Sequence, residues 1–362
     1  MQRVSLLSKL ISFLFIVVLV LGACGTPEHA SNTGETSSSN SLSNDANDAN
    51  TQGQAGENLP NTNKLIVYSA GPKGLAEKLV EHFKGQTGLD VELFQSTTGK
   101  ILSRLEAEKS NPQADVVILA SLPAGIDLAR QGRTYAYKPA HFEDVHDGWV
   151  DPDGLYVATS GSALGVTYNT QLVHTPPKDW NDFAQSEWKD QVLMPDPTLS
   201  GSAMDFIVGY IYKYGDGGWK LFEDLKANGL KIEGANTESL DAVKAGQKKA
   251  VLAGVDYMAY AAKAKGEPID MIYPKSGTVV NPRPAMIMKD SKNLKNAMLF
   301  MDFLLSDEGQ KLVTDAYLIP GRKDIRSDVR ANLDEIVQLP FDYDWMSKHQ
   351  EEVIAHFDQL FR

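Results

Sequence analysis

The chain has 362 residues, of which 42% are hydrophobic, and a formal net charge of -12 at pH 7. A chain of this length and composition can bury enough apolar surface for two domain-sized lobes. Its acidic balance and its lack of an arginine-rich stretch exclude nucleic acid as a partner, because phosphate backbones are bound by basic surfaces.

Residues 1–23 have the pattern of a secretion signal. Arg3 and Lys9 precede an apolar run over 10–21, which is shorter than the stretch of about 20 residues that spans a bilayer. The run ends in LGAC at Cys24, which resembles the lipobox of bacterial lipoproteins. That resemblance implies cleavage before Cys24 and lipid attachment, such as palmitate, to it. A plain secretory signal with an incidental cysteine is the alternative.

Cys24 is the single cysteine, so the body can contain no internal disulfide, cysteine-based zinc site or cysteine nucleophile. Residues 24–63 are rich in Ser, Asn, Thr, Gly and Asp and contain no aromatic residue. Such a segment cannot bury enough apolar surface to offset the entropy of ordering it. We therefore predict a disordered polar tether over 24–63 and a folded body over 64–362.

The body begins with strand and helix patterns in alternation. Apolar runs over 64–69, 91–94 and 115–120 predict buried strands, and each is followed by apolar residues at helical spacing. This alternation predicts an α/β fold with a parallel sheet that is covered by helices on both faces.

Hydroxyl side chains follow the strands of this first set. Ser69 ends the first strand, Thr97 and Thr98 follow the second, and Ser121 follows the third. Ligands of open α/β sheets bind beyond the carboxyl ends of the strands, so these four residues form a candidate site. Because Thr97 and Thr98 also precede a predicted helix, an ordinary helix cap is the alternative role of that pair.

A second alternating set follows residue 169, and the chain then returns over 279–288. The elements predicted in this set are strands over 192–194, 230–233 and 250–255 and helices over 180–188, over about 201–214 and around residue 240. Two crossings between the sets predict a hinge. The first lobe is expected over about 64–168 plus 280–362, and the second over about 169–279. Such a hinge allows a cleft to close around a small ligand.

The strongest chemical signal is the hydroxyl-rich turn PTLSGSA before the helix of the second set. Ser200, Gly201 and Ser202 open that helix, where free backbone N–H groups and the helix dipole favour an oxyanion. The alternative is an ordinary cap, with Ser202 and Asp205 in capping-box spacing. Together with the threonine pair of the first lobe, the turn predicts that an anion is held from both sides of the cleft.

Several segments of the body resemble a known family. They include VYSAGP over 67–72, STTGK over 96–100, ADVVILAS over 114–121 and NAMLFMDFLLSDEGQKL over 296–312. They are similar to the bacterial extracellular solute-binding proteins that serve ferric-iron, 2-aminoethylphosphonate and phosphorylated-sugar ABC importers. The resemblance implies the two-lobed type II periplasmic-binding fold, a partner permease and ATPase, and an anion held by a similar Ser-Gly turn.

The resemblance also bears on Asp256 and Tyr257, which follow the predicted strand over 250–255. Iron-binding relatives carry adjacent tyrosines in this region. Here Tyr257 and Tyr260 remain, while the first position is an acid and no histidine follows the first strand. These departures favour a zwitterion such as 2-aminoethylphosphonate, with Asp256 pairing its ammonium group and Tyr257 covering its chain. A helix cap is the alternative role of Asp256.

We predict a monomeric, lipid-anchored solute-binding subunit of an ABC importer on the extracytoplasmic face of the cell membrane, without a cofactor or catalytic residues. Its expected solute is a small phosphonate or phosphate ester. Ferric iron held by Tyr257 and Tyr260 is the first alternative. A secreted phosphoesterase is the second, although the sequence offers neither a nucleophile with an adjacent base nor a metal pair. An adhesion or signalling lipoprotein without a working cleft is the third.

Overall fold

The computed structural model describes residues 63–340 and 342–362, and the predicted signal, Cys24 and nearly all of the tether lie outside them. The first part of the body contains β1 (Lys64–Ser69), α1 (Lys73–Thr87), β2 (Asp90–Gln95), α2 (Thr98–Ala107), β3 (Val116–Ile118), α3 (Leu122–Arg130) and β4 (Thr134–Tyr135). The middle contains β5 (Val157–Asn169), β6 (Val192–Met194), α4 (Gly201–Tyr214), α5 (Trp219–Ala227), β7 (Lys231–Ile232), α6 (Asn236–Lys244), β8 (Ala250–Val255), α7 (Asp256–Ala264) and β9 (Ile269–Ile272). The last part contains β10 (Val280–Met288), α8 (Leu294–Leu305), α9 (Asp307–Asp315), β11 (Ile319–Pro320) and α10 (Tyr343–Phe361).

These elements form two α/β lobes, as the alternation predicts. In the first lobe β1 pairs in parallel with β2 and β3, and in the second β6 pairs in parallel with β7 and β8. The two crossing strands add antiparallel pairs, because β10 lies between β3 and β5. The sheets are therefore mixed.

The hinge lies within β5, whose thirteen residues are all buried. Its first half pairs with β10 up to Ala163, opposite Val280, and its second half pairs with β8 from Leu164, opposite Val255. The change of lobe thus falls a few residues before the predicted boundary at residue 168. The return crossing falls at the start of β10, where Val280 pairs with Ala163.

Each lobe has its own apolar core. In the first lobe α1 and α8 pack around Phe83 and Phe300, whose ring centroids are 5.0 Å apart. In the second lobe Phe206 of α4 packs against Trp180 with a centroid distance of 4.7 Å. The region around Trp180 that was predicted as a helix forms two short 3-10 turns.

The C-terminal helix α10 packs on the second lobe, although the sequence interpretation assigned 280–362 to the first. Phe357 of α10 lies in the second core, and its ring centroid is 5.4 Å from that of Phe222. The reason is that the chain crosses between the lobes a third time before α10 begins. At this crossing the N–H of Leu339 donates a hydrogen bond of 2.8 Å to the carbonyl oxygen of Thr278.

The beginning of α10 also contacts the first lobe. Arg130 of α3 donates to Ser347 at 2.8 Å and forms an ion pair of 2.7 Å with Asp344. The helix therefore lies along both lobes. In residues 63–340 and 342–362, no helix combines the length and apolar character required to cross a membrane.

Replacing Phe357 by alanine should lower the free energy of unfolding by about 3–5 kcal/mol, because the ring is fully buried and its removal leaves a cavity. Leu299→Ala is the control, because Leu299 is 43% exposed and should change stability by about 0.5 kcal/mol or less. Urea unfolding followed by circular dichroism measures both. Equal effects of the two substitutions would show that α10 is not docked as described.

Candidate functional site

A cavity of about 350 Å³ lies between the lobes, beyond the carboxyl ends of the parallel strands. Both lobes line it, together with the hinge strand β10. The predicted site residues that line the cavity are Thr97, Thr98, Ser200, Gly201, Ser202 and Tyr257. These residues of the two lobes therefore lie together at one cavity.

Four helices of the described part of the chain begin at this cavity. The caps and first residues of α1, α2, α4 and α6 are among its lining residues, and Tyr257, the second residue of α7, also lines it. The first N–H groups of a helix have no partner within the helix and carry its partial positive charge. Their convergence from two lobes makes the cavity a site for a negatively charged group.

The charged side chains of the cavity also favour a negatively charged group. Its described lining includes Lys73, Lys100 and Arg283 and contains neither Asp nor Glu. This distribution is opposite to the net charge of -12 of the chain as a whole. The described lining is therefore electrostatically more favourable for an anion than for a lone cation, which would find no carboxylate partner in it.

Arg283 is the functional residue that the sequence interpretation missed. It lies on β10 between Pro282 and Pro284, is 2% exposed, and donates from Nη1 to the carbonyl oxygen of Ala70 at 3.3 Å. Its Nε is buried without an acceptor among the described residues. A buried guanidinium without a paired anion is costly, so a bound anion would stabilise it. The signal in the sequence is an arginine between two prolines in a strand that is apolar except for Asn281.

Tyr257 lies beside this arginine, with the guanidinium carbon of Arg283 5.3 Å from the centroid of its ring. Burial raises the pKa of the Tyr257 hydroxyl, and the positive charge of Arg283 opposes that effect. The hydroxyl therefore keeps its proton at neutral pH and can donate a hydrogen bond to a bound anion.

The serine turn has both a capping role and a cavity role. Ser200 caps α4 by accepting a hydrogen bond of 3.2 Å from the N–H of Ala203. Its hydroxyl lies 3.0 Å from that of Ser202, and Asn236 donates to both hydroxyls at 3.0 and 3.2 Å. The hydroxyls are thus ordered by α6, while the first N–H groups of α4 stay available to a ligand.

The threonine pair occupies the corresponding position in the first lobe. Thr97 caps α2 by accepting from the N–H of Lys100 at 3.5 Å, and Thr98 accepts from the N–H of Ala120 at 3.1 Å. These bonds hold the start of α2 against the end of β3. Here too the capping role and the cavity role occur together.

The two lobes touch beside the cavity. A Cβ atom on Gly99 would lie 2.4 Å from the carbonyl oxygen of Thr198, and one on Gly201 would lie 2.9 Å from Oγ1 of Thr98. Only glycine permits backbones and side chains to approach this closely. The structure therefore shows the lobes closed.

Ser69 and Ser121 lie behind the cavity lining. The Ser69 hydroxyl accepts from the N–H of Gly71 at 3.1 Å and shapes the turn after β1. Ser121 caps α3 through Ala124 at 3.3 Å and donates to Asp205 at 2.7 Å. Both are buried, and their contacts are to the protein.

Asp256 is also placed away from the cavity. Its carboxylate forms an ion pair of 2.7 Å with Arg330, and both side chains are fully buried. Oδ2 also accepts from the N–H of Ala163 at 2.9 Å and from the hydroxyl of Tyr273 at 3.0 Å. This carboxylate links the second lobe to the first next to the hinge, so the structure does not bring it to an ammonium group in the cavity.

Tyr260 lies in the same cluster as Asp256. Its hydroxyl is 3.4 Å from that of Tyr273 and accepts from the N–H of Ala331 at 3.3 Å. It is therefore not beside Tyr257 in the cavity. Within residues 63–340 and 342–362, no group of three His, Cys, Asp or Glu side chains is placed to hold a metal ion.

A family model described as "Bacterial extracellular solute-binding protein" matches residues 111–341. The chain belongs to this family. Its curated relatives include the putative 2-aminoethylphosphonate-binding periplasmic protein of Salmonella typhimurium, 24% identical over 252 residues that cover 67% of this chain and 73% of the relative. Another is the major ferric iron-binding protein of Neisseria meningitidis, 25% identical over 268 residues, with 70% and 80% covered.

The solute-binding fold is shared with the periplasmic binding protein AfuA from Actinobacillus pleuropneumoniae, whose structure contains exogenous fructose-6-phosphate. The two superpose with a TM-score of 0.76 at 24% identity, covering 82% of this chain and 98% of that one. The predicted family and its two-lobed fold are confirmed. This protein is therefore a solute-binding protein of the ABC importer type, and its relatives are binding proteins of the extracytoplasmic space.

Replacing Arg330 by methionine should lower the free energy of unfolding of this solute-binding protein by about 3–5 kcal/mol, because Asp256 would remain buried without a counter-charge. Arg326→Met is the matched control. Arg326 forms an exposed ion pair of 3.1 Å with Asp334, and its loss should change stability far less, because water screens the two charges.

Urea unfolding near neutral pH measures both variants. A loss for Arg330→Met no larger than that for Arg326→Met would contradict the buried pair. It would also make the Asp256 carboxylate available again as a ligand-binding group.

Proposed function

We propose that this solute-binding protein captures a small organophosphorus anion, a phosphonate or a phosphate ester, and delivers it to the permease of an ABC importer. The observation that carries the proposal is the cavity in which four helix N-termini and Arg283 converge and which no carboxylate lines in the described residues. A phosphoryl group offers several acceptor oxygens to such a set of donors.

The size of the cavity supports a small solute. Its volume of about 350 Å³ lies at the lower end of the range for small-molecule sites, which is about 300–1,000 Å³. The donors come from both lobes, so one anion could contact the starts of α2 and α4 together. Such a ligand would stabilise the closed arrangement.

The contacts of the serine turn support binding without catalysis. A phosphoesterase would need a nucleophile activated by an adjacent base. The Ser200 hydroxyl contacts Ser202, Asn236 and the N–H of Ala203, and none of these is a base. We therefore propose a binding protein and not an enzyme.

Ferric iron has less support in this cavity. The cationic lining would repel a bare ferric ion, and Tyr260 lies with Tyr273 outside it. The similarity to a ferric iron-binding protein keeps ferric salts among the solutes to be tested.

We further propose that the mature protein is a monomer anchored to the extracytoplasmic face of the membrane by a lipid on Cys24. The apolar run and the LGAC sequence before the polar tether support this anchor. The tether would hold the lobes away from the lipid surface.

Thermal unfolding of the soluble body, with candidate solutes added in excess, tests the proposed function. A solute at about 100 times its Kd should raise the free energy of unfolding by about 2.7 kcal/mol. The set should contain 2-aminoethylphosphonate, inorganic phosphate, sugar phosphates, glycerol phosphates and ferric citrate. Stabilisation by a phosphorus compound would support the proposal, and stabilisation by ferric citrate alone would contradict it.

Replacing Arg283 by methionine should weaken binding of the stabilising solute by about tenfold to 150-fold, because a charge-assisted hydrogen bond contributes about 1.5–3 kcal/mol. Arg283→Lys keeps the positive charge but lacks the several N–H donors of the guanidinium group, so it should lose less affinity than Arg283→Met. Arg326→Met, outside the cavity, should bind as the wild type does. Isothermal titration calorimetry measures each Kd, and unchanged affinity in Arg283→Met would remove this arginine from the site.

A further inference from the structure

Asp205 lies at the point where the two lobes and the hinge meet. It is on α4, one turn after the serine turn that lines the cavity, and it is 2% exposed. Ser121 of the first lobe donates to its Oδ1 at 2.7 Å, and Asn281 of the hinge strand β10 donates to its Oδ2 at 2.6 Å. One carboxylate thus ties the solute-binding helix to the opposite lobe and to the hinge.

The charged and titratable groups that face Asp205 come from two elements. Arg283 of β10 favours its ionised form, and Tyr343 of α10 is close enough to interact with its charge. The groups that Ser121 and Asn281 present to it are neutral. Burial is the largest effect and raises the pKa of Asp205 to about 8, while the two hydrogen bonds and Arg283 act against it.

The cluster can accommodate a neutral carboxylic acid. The Oδ1 atom of Asn281 is buried and has no donor among the described residues. If the Asn281 amide turned over, this oxygen would face Asp205 and could accept a hydrogen bond from a protonated Oδ2. The same side chains can therefore bind Asp205 in either protonation state.

We propose that Asp205 is a positioning residue that couples closure of the lobes, and with it solute affinity, to the uptake of one proton. Opening about the hinge would separate Asp205 from Ser121 and expose the carboxylate to water. There it would ionise with an ordinary pKa of about 3.9. Closure buries it again and favours the protonated acid.

The direction of the pH effect follows from the two states. The closed form holds the proton up to about pH 8, whereas the open form loses it near pH 4. Closure is therefore most favourable at low pH and becomes less favourable as the pH rises through this interval. A bound anion acts in the same direction, because it competes for the positive charge of Arg283 and so favours neutral Asp205.

Small-angle X-ray scattering of the ligand-free protein at about pH 5.5 and about pH 9 tests the coupling without any solute. The radius of gyration of the wild type should be larger at the higher pH. Asp205→Asn, which mimics the neutral acid, should stay compact at both. Asp216→Asn, an exposed acid that follows α4, should behave as the wild type does. A wild type that does not change with pH, or an Asp205→Asn variant that changes as much, would overturn the proposal.

The affinity measurement rests on the proposed function. With a solute from the thermal screen, Kd of the wild type should rise with pH by up to about tenfold per unit between about pH 4 and about pH 8. Calorimetry in two buffers of different ionisation enthalpy should show that the wild type takes up more protons than Asp205→Asn. Ionisation of the solute contributes equally to both proteins, so equal uptake would contradict the role of Asp205.

The two measurements separate the two proposals. If no solute binds, the proposed function fails and the scattering experiment still decides the role of Asp205. If Asp205→Asn does not fold, Ser121→Ala replaces it. That variant keeps the carboxylate but loses the hydroxyl that both favours its ionised form and joins it to the first lobe, so the pH midpoint of opening should move away from that of the wild type. An unmoved midpoint would count against the proposal.

Discussion

The pairing of β5 with strands of both lobes is the constraint on which the rest of the structure depends. One continuous strand belongs to both sheets, with β10 beside its first half and β8 beside its second. This continuity sets the carboxyl ends of the parallel strands in one lobe opposite those in the other. The helices that follow those strands therefore begin at a common cleft, and their N-termini converge there without any need for a specialised loop.

Local electrostatics at the cleft outweigh the overall charge of the protein. The chain is acidic, yet helix ends, two lysines and a buried arginine make the cavity favourable for an anion. The carboxylates nearest to it are withdrawn behind its walls. Asp256 is held by Arg330, and Asp205 is held by Ser121 and Asn281. The same buried acids that leave the cavity free of negative charge also connect the lobes.

Much of the fold could be predicted because its signals are local. The apolar runs of β8 and the helical spacing of α4 place both elements at the bounds that the structure shows. The serine turn was recognised because a hydroxyl group before a helix has a fixed chemical meaning. These features depend on a few neighbouring residues and not on the packing of distant segments.

Other features depend on partners that are distant in the sequence. Asp256 has the residue type and position expected of a ligand-binding group, but Arg330, 74 residues later, occupies it. The role of Arg283 depends on which face of β10 lines the cleft. The prolines on both sides of Arg283 interrupt the alternation of polar and apolar residues that would indicate this face in the sequence. The apolar face of α10 could cover either lobe, and only the third passage between the lobes places it on the second.

The close approach of Gly99 to Thr198 has a consequence for discrimination by size. Because the two lobes are already in contact there, the closed cavity has a fixed size and cannot enclose a larger solute. A solute that is too large for the cavity would hold these two segments apart. The outer surface of the protein would then differ from that of the closed form with a fitting solute bound. A membrane partner that binds only the fully closed form would thus reject an oversized solute without contacting the solute itself.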